Sequence, residues 1–191
     1  MKGRSAKLLA AGDVERAVMA AGDGRHRLRN QMMILLSVKA GLRAGEIAAL
    51  TWDMVTDANG NIGAAIELPA AAAKKGSGRR IPVHPDLVAA LARLQGAGSA
   101  AGPVIVSERG GTMTASSIVN WFGKFYRQLG LQGCSSHSGR RTFVTRAARL
   151  VSRAGGSLRD VQELAGHRSI KTTQAYIEGD ADAQRRLIRL L

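Results

Sequence analysis

The chain has 191 residues, enough for a single domain that buries a core without disulfides. Its 28 Lys and Arg against 14 acidic residues give a net charge of +14, spread along the chain rather than gathered in one run, which excludes a charge-balanced surface and points to a polyanionic partner. A lone cysteine, Cys134, excludes an internal disulfide and suits a reducing compartment, and no apolar run is long enough for a membrane span or a signal peptide, so neither is expected.

Helical spacing dominates in chain order. Asp13 is the expected cap of a short helix over "DVERAVMAA", ended by Gly22 and Gly24. "HRLRNQMMILLSVKA" reads as an amphipathic helix closed by Gly41, and "RAGEIAALTWDMV" as the next helical stretch. The pattern then shortens: "IGAAIELP" and "GRRIPVHP", separated by "AAAAKKGS", read as a small antiparallel hairpin. Helix returns in "PDLVAALARLQ", with Pro85 in its first turn, and "VIVSERGG" reads as a brief extended piece. Three further helices follow over "TASSIVNWFGKFYRQLG", "HSGRRTFVTRAARLV" and "SLRDVQELAG", the last capped by Ser157. Two more helical stretches hold Tyr176 and the tail "DADAQRRLIRLL". The expected class is mainly α with a small antiparallel β-sheet insert (α+β), in one domain over 1–191. Trp52 and Trp121 are expected in the core.

Four stretches carry chemical potential. In "GLRAGEIAALTW", Arg43 and Glu46 are three apart on one helical face, as an ion pair or a site. "AKKGSGRRIPV" is a basic hairpin loop, either a solvated turn or a phosphate contact. In "SSHSGRRTF", His137 and Arg140 share a helix start, with Ser135 or Ser136 as cap; this is an anion site or simply a capped basic helix. The fourth is "GHRSIKTTQAYIEGD". It holds Tyr176, one of only two tyrosines with Tyr126, in a polar stretch with little apolar surface for the ring to pack on.

Their order matters more than any one of them. An Arg, a hairpin Lys, His-x-x-Arg, Gly-His and a Tyr nine residues later resemble the tyrosine recombinase (phage integrase) family from about Leu8 to about Glu178. The resemblance implies the catalytic-domain fold of that family and a catalytic set of Arg43, Lys74, His137, Arg140, His167 and Tyr176, with Glu46 supporting. Lys74 is placed by counting back from Pro82, with Lys75 its immediate neighbour. Two positions depart from the family pattern: Arg141 and Glu178 stand where relatives often carry histidine. A separate N-terminal DNA-clamping domain, common in the family, is expected to be absent from this sequence; a complete small protein of the short fimbrial-switch type and a fragment or truncated remnant both fit.

The implied reaction is metal- and ATP-independent. Tyr176 attacks a DNA phosphodiester, forms a 3′-phosphotyrosyl bond and releases a 5′-hydroxyl, so the bond is conserved for rejoining. Arg43 and Arg140 suit the non-bridging oxygens, being permanently charged and able to bond two oxygens at once. His137 is a proton shuttle or phosphate donor, His167 holds a phosphate oxygen, and Lys74 protonates the leaving oxygen. Lys75, Arg79, Arg80, Lys124, Arg127, Arg141, Arg146 and Lys171 are expected to contact backbone phosphates, which position DNA without reading sequence. No cofactor is expected. The expected function is site-specific integration, excision or inversion on double-stranded DNA carrying a target site. Alternatives are a type IB topoisomerase-like activity and a catalytically idle DNA-binding accessory protein. A homodimer or homotetramer on DNA is expected, with a monomer possible without it. Residues 180–191 are expected to form a tail helix exchanged between protomers. The expected setting is the cytoplasm of a prokaryote, encoded there or by a phage or mobile element.

Overall fold

The computed structural model describes residues 6–73, 76, 78–98, 100–176 and 188–189. Helix α1 (Ala11–Gly22) packs on α2 (Arg27–Lys39), and α3 (Ala44–Ala49) follows after a short turn. A 3₁₀ turn (Trp52–Met54) leads to the hairpin β1 (Ala65–Leu68) and β2 (Arg79–Pro82). Then come α4 (Pro85–Gly96), α5 (Ala115–Gln128), α6 (Ser138–Leu150), a 3₁₀ turn (Val151–Ala154), α7 (Leu158–Ala165) and the short α8 (Ile170–Gln174). The strands pair antiparallel, Ala65 opposite Pro82 and Leu68 opposite Arg79. Among the described residues, no helix is long and apolar enough to cross a membrane.

Helix α2 is the axis of the domain, and here the expectation of an amphipathic helix fails. Met32, Met33, Ile34, Leu35, Leu36, Ser37 and Val38 are buried in succession, because α1, α4 and α6 pack around it. Each such apolar side chain contributes about 1.5–3 kcal/mol on burial. Gly41 follows with φ +64, a left-handed conformation that a side chain resists, and a Cβ there would run into the Phe143 ring. That turn aims the chain into α3 and so places Arg43.

Boundaries differ from the sequence reading at three further places. Asp13 is not the cap of α1 but lies in its first turn, where its carboxylate accepts from Ala10 N at 3.2 Å. The stretch from Arg43 to Val55 is not one helix. The chain turns extended at Leu50, where Val104 N donates to Leu50 O and Trp52 N to Gly102 O, both at 2.9 Å, and these cross-chain bonds stop α3. Helix α6 begins at Ser138 with His137 at the cap position, while Ser135 Oγ accepts from His137 N at 3.3 Å and so holds the turn before the helix. Ser157 caps α7, accepting from Arg159 N at 3.2 Å. "VIVSERGG" forms a tight turn with Val106 bridging Thr112.

The apolar interior has two parts. The main core runs from Leu9 to Tyr126 and includes Trp52, with Trp121 against its edge. A second, small cluster of Val144, Val161 and Ala165 lies between α6 and α7, and Tyr176 packs on it. The expected tail helix lies outside the described residues except for Ile188 and Arg189.

Candidate active site

Glu46 is the hub of the site. Its side chain is 1% exposed, yet it carries two guanidinium groups. Arg43 reaches it through Nη1 to Oε1 at 2.7 Å and through its backbone N to Oε2 at 2.9 Å. Arg79 bonds it twice, Nη1 to Oε1 at 3.1 Å and Nη2 to Oε2 at 2.9 Å, and donates Nε to Leu164 O at 2.9 Å. Burial pushes the Glu46 carboxyl up, but the Arg79 bonds and the charges of Arg79 and Arg43 outweigh it and hold the group at about 2. The result is a fixed anion that orients Arg43 and leaves part of its guanidinium in contact with solvent.

Arg79 therefore stands apart from the outer-surface position expected of it: its side chain is 5% exposed and faces inward. A carboxylate buried as deeply as Glu46 requires a buried counter-charge, and β2 supplies it. The signal in the sequence is the alternation of the strand, since Arg79 shares a face with Ile81, a core residue.

Arg140 is held from two sides. Nη1 donates to Gly41 O and Nη2 to Ala165 O, both at 2.6 Å, and the residue is 2% exposed. Those carbonyls lie two residues before Arg43 and two before His167, so one side chain sets the spacing of three site segments. Two of its five N–H groups are used in this way, leaving the others for an anion. Burial, with Arg43 alongside, brings Arg140 down to about 10 against the opposing pull of Glu46, and it stays cationic at neutral pH.

His167 follows Gly166, which ends α7 in the left-handed conformation with φ +61; a Cβ there would come 2.8 Å from Arg79 Nη1. The imidazole is buried, with Nδ1 3.0 Å from Thr173 Oγ1, and its backbone carbonyl accepts from Gln162 Nε2 at 2.8 Å. Burial first, then the charges of Arg140, Arg43 and Arg79, lower its pKa from 6.5 to about 4, so the ring is neutral at pH 7. It stacks on Tyr176, centroids 5.4 Å apart and planes 24° from parallel. Tyr176 is half-buried just past α8, with its backbone carbonyl accepting from Thr145 Oγ1 at 3.0 Å. Tyr176, His137 and Arg141 line one cavity of about 500 Å³, bordered by Ala6, whose carbonyl accepts from Arg141 Nη1 at 2.7 Å. The other tyrosine, Tyr126, is fully buried in the core, and burial pushes its phenol well above the ordinary value.

The structure thus brings Arg43, Glu46, Arg140, His167 and Tyr176 into one connected group, with His137 and Arg141 at its cavity. Lys74 and Lys75 lie outside the described residues. Lys124, Arg127, Arg146 and Lys171 are exposed, and so is Arg80, which pairs with Glu67 at 2.8 Å. The sequence reading missed the inward turn of Arg79 and the contact of Thr173 with His167. Among the described residues, no three His, Cys, Asp or Glu side chains gather as metal ligands.

Comparison with known proteins decides the family. The model of the phage integrase family matches residues 7–182. The chain belongs to the phage integrase family. This integrase-family chain is 32% identical to tyrosine recombinase XerC of Brucella suis, over 95% of this chain and 56% of the relative. It is 30% identical to XerC of Xanthomonas campestris, over 91% and 52%. The chain spans about half the length of these curated relatives. Among solved structures it is similar in fold to a Tn1549 transposon integrase in complex with a circular intermediate DNA, with a TM-score of 0.76 and 19% identity over 100% of this chain and 67% of that one. It is similar to XerA recombinase, with a TM-score of 0.75 and 24% identity over 96% and 64%. A lambda integrase tetramer bound to a Holliday junction gives a TM-score of 0.71 at 18% identity, over 93% and 50%.

Proposed function

We propose that this chain performs site-specific recombination on double-stranded DNA, with Tyr176 as the nucleophile. Its Oη attacks the scissile phosphorus, the bond from phosphorus to the 5′-oxygen breaks, and a 3′-phosphotyrosyl bond forms. Lys74 gives the leaving oxygen its proton. Arg43, Arg140 and His167 hold the non-bridging oxygens as negative charge grows, each fixed donor contributing a few kcal/mol, about 2.7–4 where one such donor has been removed in an enzyme. His137 acts as the proton shuttle, taking the phenol proton as the Oη–phosphorus bond forms and returning it when Tyr176 is freed. A 5′-hydroxyl of a second strand then attacks the phosphotyrosine and frees Tyr176, so no metal and no ATP enter. The relatives named XerC are bacterial, and a bacterial cytoplasm suits the lone Cys134.

The observation that carries this reading is the stack of Tyr176 on His167 beside three buried or half-buried guanidinium groups. A phenol placed there meets a pre-assembled anion site. Pairs or tetramers on DNA are the working assembly, in line with the lambda integrase dimer on a core site and tetramer on a Holliday junction.

The test is a nicked suicide duplex carrying the target site. Wild-type protein should form a covalent adduct and join the cut strand to a second duplex. Tyr176→Phe keeps the ring and its packing, so it should bind DNA equally and form no adduct. Loss of the adduct in Tyr126→Phe instead would overturn the assignment. An adduct without joining would make the chain a nick-and-reseal enzyme.

A further inference from the structure

We propose that Thr173 is a positioning residue that sets the tautomer of His167: its hydroxyl donates to Nδ1 and leaves Nε2 as the N–H donor of the site. The inference rests on the reading of the site above for its functional meaning, but not for its geometry.

Two arrangements fit a 3.0 Å contact between His167 Nδ1 and Thr173 Oγ1. In one, Nδ1–H donates to the hydroxyl oxygen. In the other, the hydroxyl donates to a bare Nδ1. Thr173 is 0% exposed, and His167 is the only side-chain hydrogen-bond partner of its hydroxyl among the described residues. In the first arrangement the buried O–H has no acceptor, which costs the full desolvation of that group. The second arrangement satisfies both atoms, so it is the one adopted. A double donor, as in imidazolium, is opposed by the burial of the ring and by Arg140, Arg43 and Arg79 close by. With Nδ1 as acceptor, the single proton of the neutral ring sits on Nε2. His167 as a whole keeps 7% exposure, and Nε2 is the ring nitrogen left to meet a phosphate oxygen.

The same residue ties the histidine to the nucleophile. Thr173 O accepts from Tyr176 N at 3.0 Å, while its side chain holds the ring on which Tyr176 stacks. A neutral N–H donor stabilises a phosphate without surrendering a proton to it. His167 thus acts as a fixed dipole at the phosphate, and proton transfer is left to Lys74 and His137.

The experiment is ¹⁵N spectroscopy of protein carrying labelled histidine at pH 7. The four histidines are few enough for His167→Gln to assign the signal. A pyrrole-type Nε2 and a pyridine-type Nδ1 are expected, and the reverse pattern overturns the proposal. Single-turnover cleavage of the suicide duplex is the second arm. Thr173→Ser keeps the hydroxyl and should cleave near the wild-type rate. Thr173→Val keeps the shape and removes the donor; its cleavage should fall about 10–100-fold, the range seen when a metal-bound histidine loses its orienting partner, with DNA affinity unchanged. Wild-type cleavage by Thr173→Val overturns the proposal. If Thr173→Val does not fold, the wild-type spectrum still decides. If wild-type protein forms no adduct at all, the recombinase reading fails, while the tautomer is still settled by the spectrum.

Discussion

Arg79 and Glu46 face one another as a two-point ion pair, and neither side chain is more than 5% exposed. The pair joins the hairpin to α3, and Arg79 Nε extends it to α7 through Leu164 O. Three segments far apart in sequence are thereby locked around one carboxylate, and Arg43 takes its orientation from the same group.

Glu46→Ala strands two guanidinium groups beside an empty space. Breaking a buried pair by removing one partner typically costs about 3–5 kcal/mol. Urea unfolding should show a loss of that size, and Arg79→Ala should match it. Glu46→Gln keeps the shape and some bonds and should lose less. A loss no larger than that of an exposed pair, under about 1 kcal/mol, would mean that the network is not structural.

Acid should weaken the fold in two adjoining steps. His167 has its pKa lowered from 6.5 to about 4 in the folded chain, so between these values the unfolded chain binds a proton that the folded chain refuses. Stability from this group is complete above pH 6.5 and declines as pH falls toward 4. Glu46, lowered from 4.5 to about 2, repeats the pattern in the next window down. Denaturant midpoints measured at successive pH values should therefore separate wild type from His167→Asn mainly between 6.5 and 4. Parallel curves for the two proteins across that window would contradict the burial of a neutral ring.

Lys74→Ala should cleave ordinary DNA slowly, about 10²–10⁴-fold below wild type, if that lysine protonates the leaving oxygen. Sulfur in place of the scissile 5′-bridging oxygen leaves as a thiolate without a proton, and Lys74→Ala should then recover. Arg43→Ala and Arg140→Ala should not, if they serve the non-bridging oxygens as proposed. Rescue of Lys75→Ala in place of Lys74→Ala would move the general acid one residue along the hairpin loop.

Binding should be strongly salt-dependent, given a net charge of +14. Log affinity should fall by about 0.9 per phosphate contacted for each unit of log salt. Arg127→Ala or Lys171→Ala should each lower the slope by about one contact. A slope near zero would leave the basic surface without its proposed partner.

Arg43, His137, Arg140, His167 and Tyr176 could be proposed as a set from their order along the chain, and the fold brings Arg43, Arg140, His167 and Tyr176 together. The hairpin and most helices were legible from Gly and Pro punctuation and from period. What could not be read depends on contacts across the chain. Arg79 lies 33 positions from Glu46, and only the fold shows that the two meet. The early end of α3 follows from bonds to residues 102–104. The all-round burial of α2 depends on how many partners surround it, which its own residues do not state. Thr173 looked like any threonine of a polar stretch until its hydroxyl was found against Nδ1.

The division of the interior into two apolar clusters leaves Tyr176 resting on the smaller one. Tyr176 leans on Val144, Val161 and Ala165, a patch much smaller than the core around α2. With so few buried apolar contacts, the small patch should loosen at a lower temperature than the large core, and the phenol should lose its stack on His167 with it. If Tyr176 is the nucleophile, protein heated into that interval should still bind DNA while its covalent adduct is lost. The temperature at which the domain as a whole melts would then overstate the range in which the proposed chemistry runs.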